Sequence, residues 1–398
     1  MEYIFDKKID RTGSNSIKWD LTENFFGKED CLPLWVADSD WETAPEIKEA
    51  LKSRLDHGVF GYTFPSKELS EIIINWVKKH YNWQIKKEWI VYSNGVVPSI
   101  NIAIRAFSVP GDGVIIQPPV YYPFSSTIKN TGRQIVNNQL LNKENYYEIN
   151  FKGLKNILSS DSEEGCKRTE LFLFCNPHNP VGRVWNKKEL SEINQVVLEN
   201  EMILISDEIH ADFIFADNQH IPAASLSPEI EMQSITLMAP SKTFNIAGLK
   251  TSFAIIPNQK IKKKFINVKN HLVGKGNIFG LIAMQAAYNK GEPWLRAQLK
   301  YLEENIDYTA DYLNKNMPEI KYYKPEGTYL FWLDLRDVNK YSEDINDKLV
   351  KKFGIALEPG NWFGENGEGF LRMNIATPRK NIKKALKGIE KYLDKYAR

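Results

Sequence analysis

Between Ile90 and Ile256 short apolar runs alternate with helical patterns, and nothing else in the chain restricts its possible folds as strongly. The runs are Ile90–Ser93, Val114–Gln117, Leu171–Cys175, Met202–Ser206, Ile235–Ala239 and Thr251–Ile256. A continuous apolar strand is one buried on both faces, and strands separated by helices pair in parallel beneath helical layers. The expectation is an α/β domain around a mostly parallel sheet. Upstream, a helix is expected after Thr43 as N-cap, with Pro45 in its first turn and Gly58 as its stop. A second follows Ser66, with Leu69, Ile72, Ile73, Trp76 and Val77 at helical spacing. After about residue 290 the texture changes. A long helix over Trp294–Asn316 leads to strands at Tyr329–Asp334 and Phe370–Asn374, a helix near Asp344–Phe353 and a closing helix from Pro378. Three parts are predicted: an irregular arm (1–44) that joins a smaller α+β domain (290–398), and a large domain (45–289).

With 398 residues, 42% of them hydrophobic, the chain can fill more than one sizeable core. A net charge of +2 gives no mandate for a polyanionic partner. The Lys-rich stretches Lys260–Lys264 and Arg379–Lys387 are interspersed with apolar residues, which is the pattern of solvated helix faces rather than of nucleic-acid binding. Cys31, Cys166 and Cys175 are odd in number, far apart and without metal spacing, so neither a disulfide framework nor a metal site is expected. The first eight residues are too charged for a signal peptide, and no stretch approaches the ~20 apolar residues of a membrane span. These features predict a cytoplasmic protein.

Open α/β sheets bind ligands at the carboxyl ends of their strands. Five features fall there. Ser93-Asn94-Gly95-Val96-Val97 opens a helix, either as a phosphate cradle or as an ordinary turn. Tyr121, in Pro118-Pro119-Val120-Tyr121-Tyr122-Pro123, lies against an aromatic ring or packs in the core. Asn176-Pro177-His178-Asn179-Pro180-Val181-Gly182 doubles an Asn-Pro step after the third run. Asp207 ends the fourth run and Lys242 follows the fifth. A lone Asp is usually a cap and a lone Lys usually solvated. As a pair, in sequence with the other three features, they place an acid and an amine at opposite ends of one ligand. That pairing suits pyridoxal 5'-phosphate, which needs a lysine for its aldehyde and an acid beside its ring nitrogen.

Taken with Leu34-Trp35-Val36-Ala37-Asp38, Gly61-Tyr62, Ser206-Asp207-Glu208-Ile209-His210, Ser241-Lys242-Thr243-Phe244-Asn245 and Phe370-Leu371-Arg372-Met373-Asn374, these motifs make the chain resemble a fold-type I pyridoxal-phosphate enzyme. Within the class I and II aminotransferase superfamily it is similar to the MalY/PatB-type cystathionine β-lyases and cysteine desulfhydrases, from about Leu34 to Arg379. One departure is Ser39-Asp40-Trp41, where that group more often shows Met-Asp-Phe. The resemblance implies a mostly parallel seven-stranded sheet sandwiched by helices, beside a smaller α+β C-terminal domain.

It also implies roles. Lys242 would bind the cofactor covalently and move the substrate's Cα proton. Asp207 would keep the ring nitrogen charged: an ion pair at ~4 Å and effective dielectric ~20 is worth roughly 4 kcal/mol, or about three pKa units. Asn179 and Tyr122 would hydrogen-bond the phenolic oxygen, with Tyr121 against the ring. Val96, Val97, Ser241 and Lys250 would hold the phosphate, and Tyr62 would reach it from a neighbouring subunit, giving a homodimer with shared active sites. Arg372 would clamp the α-carboxylate of a small amino-acid substrate, a structural salt bridge being its other reading, and Trp35, Val36 and Ala37 would line the substrate side. His210 stands where aminotransferase relatives usually carry a tyrosine. The implied activity is therefore carbon–sulfur β-elimination, with an aminotransferase of hydrophobic or aromatic amino acids as the alternative and a cofactor-bound regulatory protein as a remote one.

Overall fold

All six apolar runs form strands, and a seventh strand joins them. The computed structural model describes residues 3–159, 168–274, 276–338 and 342–396; Cys166 lies outside them. β1 (Ile90–Ser93), β2 (Gly113–Ile116), β3 (Gln134–Asn137), β4 (Thr169–Cys175), β5 (Ile203–Asp207), β6 (Ser234–Met238) and β7 (Ser252–Ile255) make one sheet, ordered β1-β7-β6-β5-β4-β2-β3. β7 runs antiparallel to both neighbours and every other pair is parallel. Alternate side chains serve opposite faces. Val114, Ile116, Leu171 and Leu173 pack under α3 (Val96–Phe107) and α4 (Pro123–Asn130), while Ile115, Phe172, Phe174 and Leu204 pack under the helix Lys187–Glu199. Burial on both faces is what makes these strands read as unbroken apolar runs.

β3 was not expected, for the converse reason. It is an edge strand in which only Val136 is fully buried, so no apolar run marks it. The cap of α1 (Pro45–His57) also needs correcting. Pro45 opens the helix without any side-chain cap, and Thr43 instead donates its hydroxyl to the Phe244 carbonyl at 2.6 Å. Gly58, at φ 73°, ends it as expected. Ser66 does cap α2 (Lys67–Tyr81), accepting from the Leu69 amide at 3.0 Å.

The later residues form a second sheet from β8 (Lys321–Tyr322), β9 (Leu330–Asp334), β10 (Glu358–Pro359) and β11 (Phe370–Asn374), ordered β8-β9-β11-β10 and antiparallel throughout. α5 (Glu292–Asn316) and α6 (Arg379–Tyr396) accompany it, and the expected helix near 344–353 is Ser342–Lys348 followed by a wide turn at Leu349–Phe353. The N-terminal arm reaches this sheet's surroundings, because Leu32–Pro33 pairs in parallel with Ile355–Ala356. Among the described residues no helix is long and apolar enough to cross a membrane. None of their His, Cys, Asp and Glu side chains cluster in threes or more fit for a metal ion.

Candidate active site

The register of the large sheet sets the site. Cys175 lies opposite Asp207 and Asp207 opposite Leu237, so β4, β5 and β6 deliver their ends to one edge. β7 is reversed, which brings the residues before it, Lys250 and Thr251, to the same edge, where Ser252 pairs with Ser93 of β1. A cavity of about 240 Å³ opens there. Its walls include every residue expected in the site except Tyr62.

At one end, Gly95 takes φ 151° and ψ 161°, a region open essentially to glycine. That conformation turns the chain sharply into α3, leaving the amides of Val96 and Val97 among the first four of the helix, which have no carbonyl partner within it. A helix start of this kind favours an anion. The Ser241 hydroxyl and the Lys250 ammonium line the same cavity. Lys250 sits in the left-handed region (φ 48°, ψ 64°) as the cap of the turn Ala247–Leu249.

Asp207 lies deeper. Its carboxylate accepts the Ile209 amide at 3.1 Å, yet burial dominates and pushes the carboxyl up to about 7, with Glu208 adding to the rise and Lys242 opposing it. Lys242 lies in the short helix Pro240–Thr243 and donates to the Ala37 carbonyl at 2.6 Å. Burial lowers its pKa; Arg372 works in the same direction, while Asp38, Asp207 and Glu358 oppose it. The Ala37 carbonyl also accepts Tyr329 Oη at 2.9 Å, which fixes this wall of the cavity. Tyr121 forms another wall, its amide bound to the Asn179 carbonyl at 3.1 Å. Tyr122 follows at the start of α4, with burial and then Glu358 raising its phenol.

Arg372 is buried in β11, where its Nη1 donates to Asn179 Oδ1 at 2.8 Å and its Nη2 to the Trp35 carbonyl at 2.9 Å. Asn179 is thereby held with its amide nitrogen left as a donor. His210 is also buried, beside Tyr329 and Phe213, and desolvation followed by the charges of Lys242 and Arg372 keeps its imidazole neutral. Tyr62 is fully exposed on the segment between α1 and α2 and does not touch the cavity of its own chain.

Sequence reasoning missed Glu358. It faces Arg372 across β10 and β11 and ion-pairs with it, and both side chains are buried. No motif or apolar run in its surroundings, Leu357-Glu358-Pro359-Gly360, marks it.

The donor set is specific: anion-binding amides and a cation at one end, a buried acid at the other, an aromatic wall between them and an amine whose ammonium form burial disfavours alongside. It fits a flat heteroaromatic ligand that bears a phosphate, a basic ring nitrogen and an aldehyde. The chain matches the family model "Aminotransferase class I and II" over residues 29–389, and it belongs to that family. Among its relatives, cystathionine beta-lyase PatB of Bacillus subtilis is 40% identical over 97% of this chain and 98% of its own. Protein MalY of Escherichia coli is 33% identical over 97% and 98%. The structure is similar to that of cystalysin from Treponema denticola, which contains a pyridoxal 5'-phosphate cofactor, with a TM-score of 0.94 and 38% identity over 99% of this chain and all of that one.

Proposed function

We propose that the chain is a pyridoxal-phosphate-dependent carbon–sulfur β-lyase. It cleaves L-cystathionine, L-cysteine or related S-substituted cysteines to a thiol, pyruvate and ammonia. The observation that carries this is the single cavity that gathers Lys242, Asp207 and Arg372. His210, at the aminotransferase tyrosine position, and the 40% likeness to PatB turn the reading from transamination to elimination.

Val96, Val97, Ser241 and Lys250 would hold the cofactor's phosphate, Tyr121 its face, Asn179 and Tyr122 its phenolic oxygen, Asp207 its ring nitrogen and Lys242 its aldehyde carbon. When bound, the cofactor supplies an electron sink for the pair left at Cα. The chain's residues do the rest. Arg372 orients the substrate by its α-carboxylate, because a guanidinium fork matches a carboxylate bidentately. Lys242, whose ammonium form burial disfavours, takes the Cα proton. Ala37 holds the amine in position through its carbonyl. Asp207, once paired with the ring cation, stays ionised and keeps that nitrogen protonated.

In this reading the protein is a cytoplasmic homodimer in which Tyr62 of one subunit completes the phosphate site of the other. The exposed run Val59, Phe60, Tyr62 and Phe64 supports such a partner surface. Residues 45–289 form the larger unit, and 290–398 with the arm 1–44 the smaller; the Leu32–Ile355 pairing supports that grouping.

The test is to incubate purified protein with L-cystathionine and no keto acid, following pyruvate and free thiol. Release of both is expected. Turnover that begins only when a 2-keto acid is added would assign the chain to the aminotransferases instead.

A further inference from the structure

Arg372 already has an anionic partner from within the chain, and this bears on how a substrate carboxylate can bind. Glu358 and Arg372 are directly opposed across β10 and β11, and both are withdrawn from water. The other acceptors on the guanidinium are neutral: Asn179 Oδ1 on Nη1, and the Trp35 carbonyl on Nη2. Nε is buried with no hydrogen-bond partner among the described residues. An edge consisting of Nε and the Nη2 shared with Glu358 is therefore what the guanidinium has left to offer a carboxylate.

From this geometry we infer that Glu358 is the gate of the carboxylate subsite: it holds Arg372 in the resting protein, and a ligand carboxylate binds by displacing it together with uptake of one proton at Glu358. The inference rests on the proposed role of Arg372 as carboxylate clamp. Two carboxylates on one buried guanidinium cannot both ionise cheaply. Protonated, Glu358 stops competing for the cation and becomes a donor to the incoming oxygen.

The charged groups facing Glu358 are Arg372 and Lys242, and the Tyr121 and Tyr122 phenols also feel its charge. Burial pushes its carboxyl up to about 7 against the pull of those two cations, so at neutral pH the proton costs little. A second anion raises Glu358 further. The sign follows: carboxylate affinity is constant below that pH and falls as pH rises through it, by about tenfold per unit for one linked proton.

The test uses holoenzyme and 3-(methylthio)propionate, a thioether carboxylate with no amino group to react. Its affinity is measured by inhibition of cystathionine cleavage. Independently, calorimetry in buffers of different ionisation enthalpy counts protons taken up. Expected for the native protein are uptake near one proton at pH 8 and weakening of about tenfold per unit above neutrality. Glu358→Gln should bind more tightly at pH 8, take up no proton and give a flat profile, while Glu358→Asp should restore the uptake. Equal uptake in native protein and Glu358→Gln, or a flat native profile, overturns the gate and leaves the lyase reading standing. Failure of the native protein to bind the probe at pH 6 overturns the clamp and the gate together. Absence of cystathionine cleavage, with the probe still bound, counts against the lyase reading alone.

Discussion

Burial works against Asp207 unless a cation is beside it. Its carboxyl is pushed up to about 7 from an ordinary value of 3.8, so folding without the cofactor carries a penalty that depends on pH. Below the unfolded value the carboxyl is protonated in both states and the penalty is absent. It builds as pH rises through the interval between the two values and is complete above the upper one, at about 4 kcal/mol for about three units. Asp207→Asn removes the titration. In urea melts of cofactor-free protein the variant should match the native chain near pH 4 and exceed it by about 2–4 kcal/mol at pH 8. Equal stability at both pH values would refute the assignment. The same substitution should also abolish most of the stabilisation that pyridoxal phosphate confers at pH 8, because ligand stabilisation tracks affinity and Asn offers the ring nitrogen no charge. Activity and apoprotein stability thus move in opposite directions at this one side chain.

At the scale of elements, the start of α3 is where backbone shape and the proposed phosphate site coincide. Gly95 is at φ 151°, and a Cβ there would come within 3.3 Å of the Pro98 ring. Gly95→Ala should cost about 1–3 kcal/mol in a thermal or urea melt. It should also weaken phosphate-dependent retention of the cofactor by more than it weakens binding of the unphosphorylated aldehyde. Equal loss for both would place the anion site elsewhere. How far such elements are legible in sequence depends on the pattern they impose. β1, β2, β4, β5, β6 and β7 could be read because burial on two faces leaves unbroken apolar runs. Lys242, Asp207 and the Gly95 turn were legible because each follows such a run at the ligand-binding edge. β3 was not, since an edge strand with one fully buried residue imposes no run. Glu358 was not either: β10 is two residues long, too short for any period, and its partner Arg372 comes from a strand fourteen residues on, through tertiary pairing alone.

Over the whole molecule, the arm matters because it braces the cavity wall from outside. Lys18, fully buried, pairs with Asp40 at 2.8 Å and with Asp38 at 3.4 Å, and Arg11 binds both acids at 2.8 Å. These acids directly follow the segment whose Trp35 and Ala37 carbonyls hold Arg372 and Lys242. Arg11 stays paired with both acids when Lys18 is removed, so Lys18→Ala loses charge-assisted hydrogen bonds without stranding a carboxylate and should cost about 2–3 kcal/mol in a urea melt; a loss below ~1 kcal/mol would mean the arm is not integral to the fold. A second arrangement at this scale concerns Tyr62, exposed on a segment that no other part of its own chain buries in the cavity. If it serves the partner's phosphate site, Tyr62→Ala should release the cofactor more readily, and Lys242→Ala should be inactive. Mixing the two variants through unfolding and refolding tests the geometry directly. A hybrid dimer joins the native Lys242 of one subunit to the native Tyr62 of the other at one site, and loses both at the second. Random assembly then restores about a quarter of native activity, since half the dimers are hybrids with one intact site each. If Tyr62 acts within its own chain, no hybrid site is intact, and the mixture stays at the mean of its two inputs.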